Sequence, residues 1–153
     1  MTSSQLQPPI SITPVNWQSH QEQLQHIRET VFIQEQKVPV KLEWDGLDEQ
    51  ALHIIAIEEN NQQAIGSARI LFTDSHAHIG RMAVLSDWRG QGIGSQILQC
   101  CIEQCRKKQV QKIILNAQVY VMEFYTQADF KITSDEFLDA GIAHREMTLA
   151  LNI

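Results

Sequence analysis

The chain reads as an α+β protein built on one central sheet, and three observations carry that reading. Short runs rich in apolar residues, bounded by turn residues, fall at 10–15, 51–58, 64–72 and 77–85 and read as strands. Two segments, about 18–36 and about 92–107, instead place their apolar residues at helical spacing. A glycine-rich turn joins the fourth strand to the second of those helices. At 153 residues, 43% of them hydrophobic, the chain has the size of one domain with a proper core. We expect a flexible tail over 1–9 and a single domain over 10–153.

The elements follow in order. Ile10 to Val15 forms the first strand. The helix over 18–36 is carried by Leu24, Ile27, Val31 and Phe32, and Val38-Pro39 ends it, because a residue before proline avoids helical geometry. Asn60 to Gln63 and Thr73 to His76 turn the chain between successive strands. Ile97, Leu98, Cys101, Ile102 and Cys105 mark the buried face of the second helix. Lys112 to Leu115 is a short buried strand, Val119 to Gln127 a short helix, and Phe130 to Thr133 and His144 to Leu151 the last two strands. Three strands in a row, flanked by helices before and after, give a mixed α+β layout.

Charge and composition remove several function classes. A net charge of −6 speaks against nucleic acid, whose recognition needs clustered Lys and Arg. Arg106-Lys107-Lys108 closes a helix, where cations are favoured anyway. No stretch approaches the roughly 18 apolar residues of a membrane span. Met1 to Pro9 lacks the charged and apolar regions of a signal peptide. The three cysteines, Cys100, Cys101 and Cys105, fall in one helix, which argues for small buried residues rather than disulfides or a metal cluster, and for the cytoplasm.

The turn itself is Arg89-Gly90-Gln91-Gly92-Ile93-Gly94. Glycines let backbone approach a ligand, and the free N–H groups of a helix start favour an anion. The Lys-Ser/Thr pair of a nucleotide-hydrolysing loop is absent, since Ser95-Gln96 follows Gly94. The spacing is also G-x-G-x-G rather than the dinucleotide pattern. Arg-x-x-Gly-x-Gly resembles the pyrophosphate motif of the GNAT N-acyltransferase superfamily. Phe124-Tyr125-Thr126-Gln127-Ala128-Asp129-Phe130 resembles that family's Phe-Tyr-x-x-x-Gly-Phe, with Asp129 in place of glycine; Asp tolerates the positive φ such a position needs. Arg28 to Pro39, Glu43-Trp44-Asp45-Gly46-Leu47-Asp48, His53 and Gly141-Ile142-Ala143-His144 resemble the ElaA-like branch, so the resemblance covers about 10–150.

That resemblance implies a mostly antiparallel mixed sheet, splayed between its fourth and fifth strands. It implies acetyl-CoA as cosubstrate, with no metal. The donor would contact Met82, Ala83 and Val84 on the splayed strand, rest its pyrophosphate on Arg89, Gly90, Gln91, Gly92, Ile93, Gly94 and Ser95, and reach Asn116 and Tyr125. Tyr125 stands where many members hold a general-acid tyrosine; the alternative is a buried tyrosine with a satisfied hydroxyl. Arg89 either adds charge to the phosphate site or is a surface residue after a tight turn. The base stays open among Glu35, His53 and His144. Glu35, Asp45, Arg81, Gln118 and His144 are the candidates for holding the acceptor. Arg81 either anchors an acceptor carboxylate or pairs with Glu58 or Glu59. The implied activity is acetyl transfer to a primary amine, of a small molecule or a peptide, by direct attack in a ternary complex. A non-catalytic acyl-CoA-binding or sensing protein is the alternative, and a homodimer is compatible with either.

Overall fold

In the computed structural model, residues 8–151 are described, so most of the tail expected over 1–9 lies outside the described residues. Strands β1 (Ile10–Val15), β2 (Leu52–Glu58), β3 (Gln63–Phe72), β4 (His76–Val84), β5 (Lys112–Gln118), β6 (Lys131–Ile132), β7 (Phe137–Asp139) and β8 (Ile142–Ala150) form one sheet. Its order is β1-β2-β3-β4-β5-β8-β6, with β7 also on β8. Among the described residues only β4 and β5 run parallel, and the other pairings are antiparallel.

Helices cover both faces. Helix α1 (Trp17–Arg28) starts on Asn16, whose side chain accepts the Ser19 amide at 2.8 Å, and buries Leu24 and Ile27. With Trp17, Val31 and Phe32 these form a cluster against Ile55 and Ala83. On the other face α3 (Ile93–Lys107) buries Ile97, Leu98, Cys101, Ile102 and Cys105 against Ile54, Ala56 and Ile70. Adjacent β2 residues thus point to opposite cores, as a period of two requires. Gly66 marks a close approach of α3 to the sheet: a Cβ there would stand 2.8 Å from Ile97 Cδ1 and 3.1 Å from the Ala83 carbonyl.

Three features differ from the expectation. The helix expected over 18–36 is α1 followed by a π-helix, Glu29–Glu35, closed by the bond from Gln36 N–H to the Val31 carbonyl. The widened turns leave adjacent Val31 and Phe32 both buried, a pattern that α-helical spacing cannot distinguish from its own. A short helix, α2 (Val40–Glu43), follows Pro39 at once. The hairpin strand β7 lies within a stretch read as connection, since three exposed residues carry no alternation to detect.

The expected splay is present and has a local cause. Pairing of β4 with β5 runs from His76↔Lys112 to Ile79↔Leu115 and stops, although β4 continues to Val84 and β5 to Gln118. On the opposite edge of β4, Ser67 faces Ala83 and Arg69 faces Gly80, so Arg81 and Met82 together oppose Ala68. Arg81 sits at φ 53. This β-bulge bends β4 away from β5 where their ladder ends.

Candidate active site

The wedge between β4 and β5 opens into a cavity of about 740 Å³. Gly80 to Val84 line one wall and Ile114 to Asn116 with Gln118 the other. The Leu85 amide donates to the Ile65 carbonyl at 2.9 Å, which sets the parity of the β3–β4 ladder. Val84 therefore turns its backbone groups into the wedge, and its carbonyl accepts Arg89 Nε at 2.8 Å.

At the mouth of the wedge the glycine turn feeds α3. Gly90 and Gly92 take φ 78 and 82, which only glycine adopts without strain. Gly92 caps α3 with no side-chain bond, and the first intrahelical amide is Gln96, bonded to the Gly92 carbonyl. The amides of Ile93, Gly94 and Ser95 thus have no intrahelical acceptor and add to the positive helix end. Gly90 and Arg89 line the cavity; Gln91, Gly92, Ile93, Gly94 and Ser95 continue from them outside it. Arg89 itself makes a fork to Glu35, with Nη1 at 2.7 Å and Nη2 at 2.9 Å from its two carboxylate oxygens. That fork holds the Glu35 carboxyl below the usual carboxylate range. Glu35 is thereby a poor base while the pair lasts.

Tyr125, on α4 (Met122–Thr126), lines the cavity from the α3 side. Its ring packs edge-on against Phe124 and Phe130 at 5.0 and 6.0 Å. Burial pushes its phenol well above the ordinary value, so it carries its proton throughout the neutral range. Asp129 takes φ 73 at the end of this helix, the conformation inferred for it.

His144 lines the opposite wall, stacked on Phe137 with centroids 6.0 Å apart. Its Nδ1 lies 2.6 Å from the Ile142 carbonyl. A carbonyl only accepts, so Nδ1 carries the hydrogen and the neutral ring keeps its lone pair on Nε2. Beside it Gln118 donates to Gln36 Oε1 at 3.0 Å, tying β5 to the end of the π-helix.

Two candidates are placed elsewhere. His53 is 1% exposed, packs at a tilt against the Trp17 ring and donates Nε2–H to the Asp48 carbonyl at 2.9 Å; it does not line the cavity. Burial also lowers its pKa. Asp45 is likewise absent from the cavity wall. It grips Arg69 through both oxygens at 2.8 Å. Burial opposes its ionisation, but the Arg69 fork and the Leu47 amide bring its carboxyl down to about 2. Arg81 does face the cavity, yet its partners are Glu43, Asp45 and the Leu42 and Glu43 carbonyls rather than Glu58 or Glu59. Glu58 instead accepts the amides of Asn60 and Asn61.

These contacts belong to one buried network. Arg28 donates to Glu43 at 2.7 Å and Asp48 at 2.6 Å, Arg69 to Asp45 and Asp48, and Arg81 to Glu43 and Asp45. Three guanidinium groups meet three carboxylates, so the network is neutral as a whole. It fixes the segment from α2 to Asp48 under the wedge. The sequence pattern did not reveal Arg69 and Glu43 as cavity residues, nor the tip of the β7–β8 hairpin, where Asp139, Ala140 and Ile142 line the wall. Gly141 after Ala140 was the available signal for that hairpin, whose two turn residues take φ 53 and 78.

Among the described residues no group of three or more His, Cys, Asp or Glu is placed to hold a metal ion, and no helix is long and apolar enough to cross a membrane.

Comparison with known proteins agrees with this geometry. Residues 18–151 match the acetyltransferase (GNAT) domain family. The chain is 33% identical over 132 residues to the Bacillus subtilis protein described as uncharacterized N-acetyltransferase YjcF, covering 84% of this chain and 93% of that one. Among solved structures it superposes on an acyl-CoA N-acyltransferase from Pseudomonas aeruginosa with a TM-score of 0.84 at 26% identity, covering 93% of this chain and 100% of the other. It superposes on Escherichia coli ElaA with a TM-score of 0.82 at 26% identity, covering 90% and 98%. The chain belongs to the GNAT acetyltransferase family, in its ElaA-like branch.

Proposed function

We propose that this protein is an N-acetyltransferase that moves the acetyl group of acetyl-CoA to a primary amine by direct attack in a ternary complex. The observation that carries the reading is the wedge: a strand edge left unpaired beyond Ile79 leads straight to the bare N-terminus of α3. A donor's pantetheine arm would add along β4 through Val84 and Met82, as an extra strand does. Its pyrophosphate would meet the Gly90 to Ser95 backbone.

The thioester would then lie between Tyr125 and His144. The amine nitrogen bonds to the acetyl carbonyl carbon as the carbon–sulfur bond breaks. The Val84 amide polarises the carbonyl, the Tyr125 phenol gives its proton to the leaving sulfur, and His144 Nε2 takes the proton the amine loses. His144 is favoured as base because its tautomer leaves Nε2 unprotonated on the cavity wall, whereas His53 lies outside the cavity and Glu35 is held by Arg89. A covalent acyl-cysteine route is disfavoured: Cys101 and Cys105 are buried in α3, where burial raises both thiols, Cys105 to about 12. Free thiols of this kind suit a reducing compartment, in keeping with the cytoplasm.

Titration calorimetry with acetyl-CoA, and with ATP as control, tests the donor half. Selective binding followed by acetylation of members of an amine panel is the expected result. Binding without turnover on any amine would favour a sensor. No binding to either nucleotide would end the acyltransfer reading.

A further inference from the structure

The Arg89–Glu35 fork joins the two halves of the proposed site, since Arg89 opens the pyrophosphate turn and Glu35 ends the π-helix on the far wall. Held at Nη1 and Nη2 by the two carboxylate oxygens of Glu35 and at Nε by the Val84 carbonyl, Arg89 keeps one N–H on each Nη for a phosphate and meets it with its charge already neutralised. The other charges on the wall are already matched: Arg69, Arg81 and Glu43 belong to the neutral network. What remains on the cavity lining, apart from histidines, is Arg89, Glu35 and Asp139.

We propose that Arg89 is exchanged between Glu35 and the donor's pyrophosphate, so that donor binding frees Glu35 to receive an acceptor carrying a second positive charge. The inference rests on the acyl-CoA reading and adds to it an order of binding and a substrate class. Before the donor arrives, Glu35 neutralises Arg89 and repels nothing. Once the phosphates take Arg89, two carboxylates, Glu35 and Asp139, face the cavity without a cation. A diamine or an amine within a basic segment then binds with its distal charge on Glu35 and its reacting nitrogen toward His144. A monoamine gains nothing from the exchange.

Affinities of the full chain for CoA, measured by titration, test the exchange. Loss of the competing carboxylate in Glu35→Gln should tighten CoA by about two- to five-fold, the range an exposed ion pair supports. Pantetheine, which lacks the pyrophosphate, should bind both proteins alike. In an Arg89→Gln background the Glu35→Gln change should have no effect on CoA. If it still tightens CoA there, Glu35 acts by general repulsion and the exchange is wrong.

Binding of 1,4-diaminobutane, with n-butylamine as control, tests the acceptor. CoA should tighten the diamine several-fold in the unmodified protein, by reciprocity of coupling, and not in Glu35→Gln. Equal CoA affinity of both proteins, or a diamine bound no better by the CoA complex than butylamine, overturns the proposal while leaving acyl-CoA binding intact. Failure of the unmodified protein to bind CoA removes the underlying reading as well.

Discussion

Replacement of Arg28 by methionine probes the network under the wedge, and its cost can be worked from the contacts. Arg28 is 1% exposed and donates to Glu43 at 2.7 Å, to Asp48 at 2.6 Å and to the Glu43 carbonyl at 3.2 Å. Its guanidinium also lies 5.6 Å from the Trp17 ring and 4.9 Å from Trp44. Methionine fills similar space but leaves Glu43 with only Arg81 at 3.1 Å and Asp48 with only Arg69 at 3.2 Å. Removing one partner of a buried pair costs about 3–5 kcal/mol, because the surviving carboxylates stay desolvated. The retained contacts draw the value toward the lower end, and the lost cation–π contacts raise it, so we expect about 3–4 kcal/mol. For a chain of this size that lowers the melting temperature by about 6–16 °C. Urea unfolding supplies the free energy, provided the slope is unchanged. Arg28→Lys keeps the charge without the fork and should recover less than half of the loss. A methionine variant within about 1 kcal/mol of the parent would mean that the network contributes nothing net and that the α2 segment is held by packing alone.

Tyr125→Phe should lower turnover by roughly 10²-fold or more with CoA affinity little changed, and His144→Gln should do the same if Nε2 takes the amine proton; a full-rate variant at either position returns that residue to a packing role. Gly92→Trp should abolish CoA binding with the circular dichroism spectrum preserved and the melting temperature lowered, since no atom lies within 4 Å of a Cβ there but φ 82 strains any side chain; unchanged affinity would sink the motif assignment. Burial depresses His53 from its ordinary value of 6.5, so the unfolded chain takes up that proton first as pH falls. The stabilisation that neutral His53 provides is present above about pH 6.5 and lost as pH falls toward its folded value, and His53→Gln should remove that part of the acid sensitivity in urea midpoints.

The sequence made the sheet and its main helices legible because their burial is periodic. Leu24 and Ile27 in α1, and Ile97, Leu98 and Cys101 in α3, repeat at helical spacing and are buried where that spacing puts them. The glycine turn was legible for another reason: Gly90 and Gly92 adopt a conformation that few other residues take. Asp129 at φ 73 follows the same logic in a weaker form. What could not be seen was pairing across distance. Nothing local to Arg89 says that Glu35, 54 positions away, will hold it. Nor does the alternation of β2 say whether His53 faces a cleft or the Trp17 ring. Histidines and carboxylates on strands and loops are read by type, but their partners are chosen by the fold.

Arg81 shows why those partners matter to the site. A non-glycine residue at φ 53 is strained by roughly 1–2 kcal/mol, yet the bulge that opens the wedge is centred there. Its guanidinium is held by Glu43 and Asp45 and by the carbonyls of Leu42 and Glu43. Charge-assisted bonds of this kind are among the stronger ones a side chain makes, and together they offset the backbone strain. A glycine would relieve the strain but release the α2 segment. A lysine would keep one charge and lose the fork. The segment from Leu42 to Asp45 and the bent strand β4 therefore hold each other in place. The ion network thus stabilises the divergence of β4 from β5 on which a donor would depend.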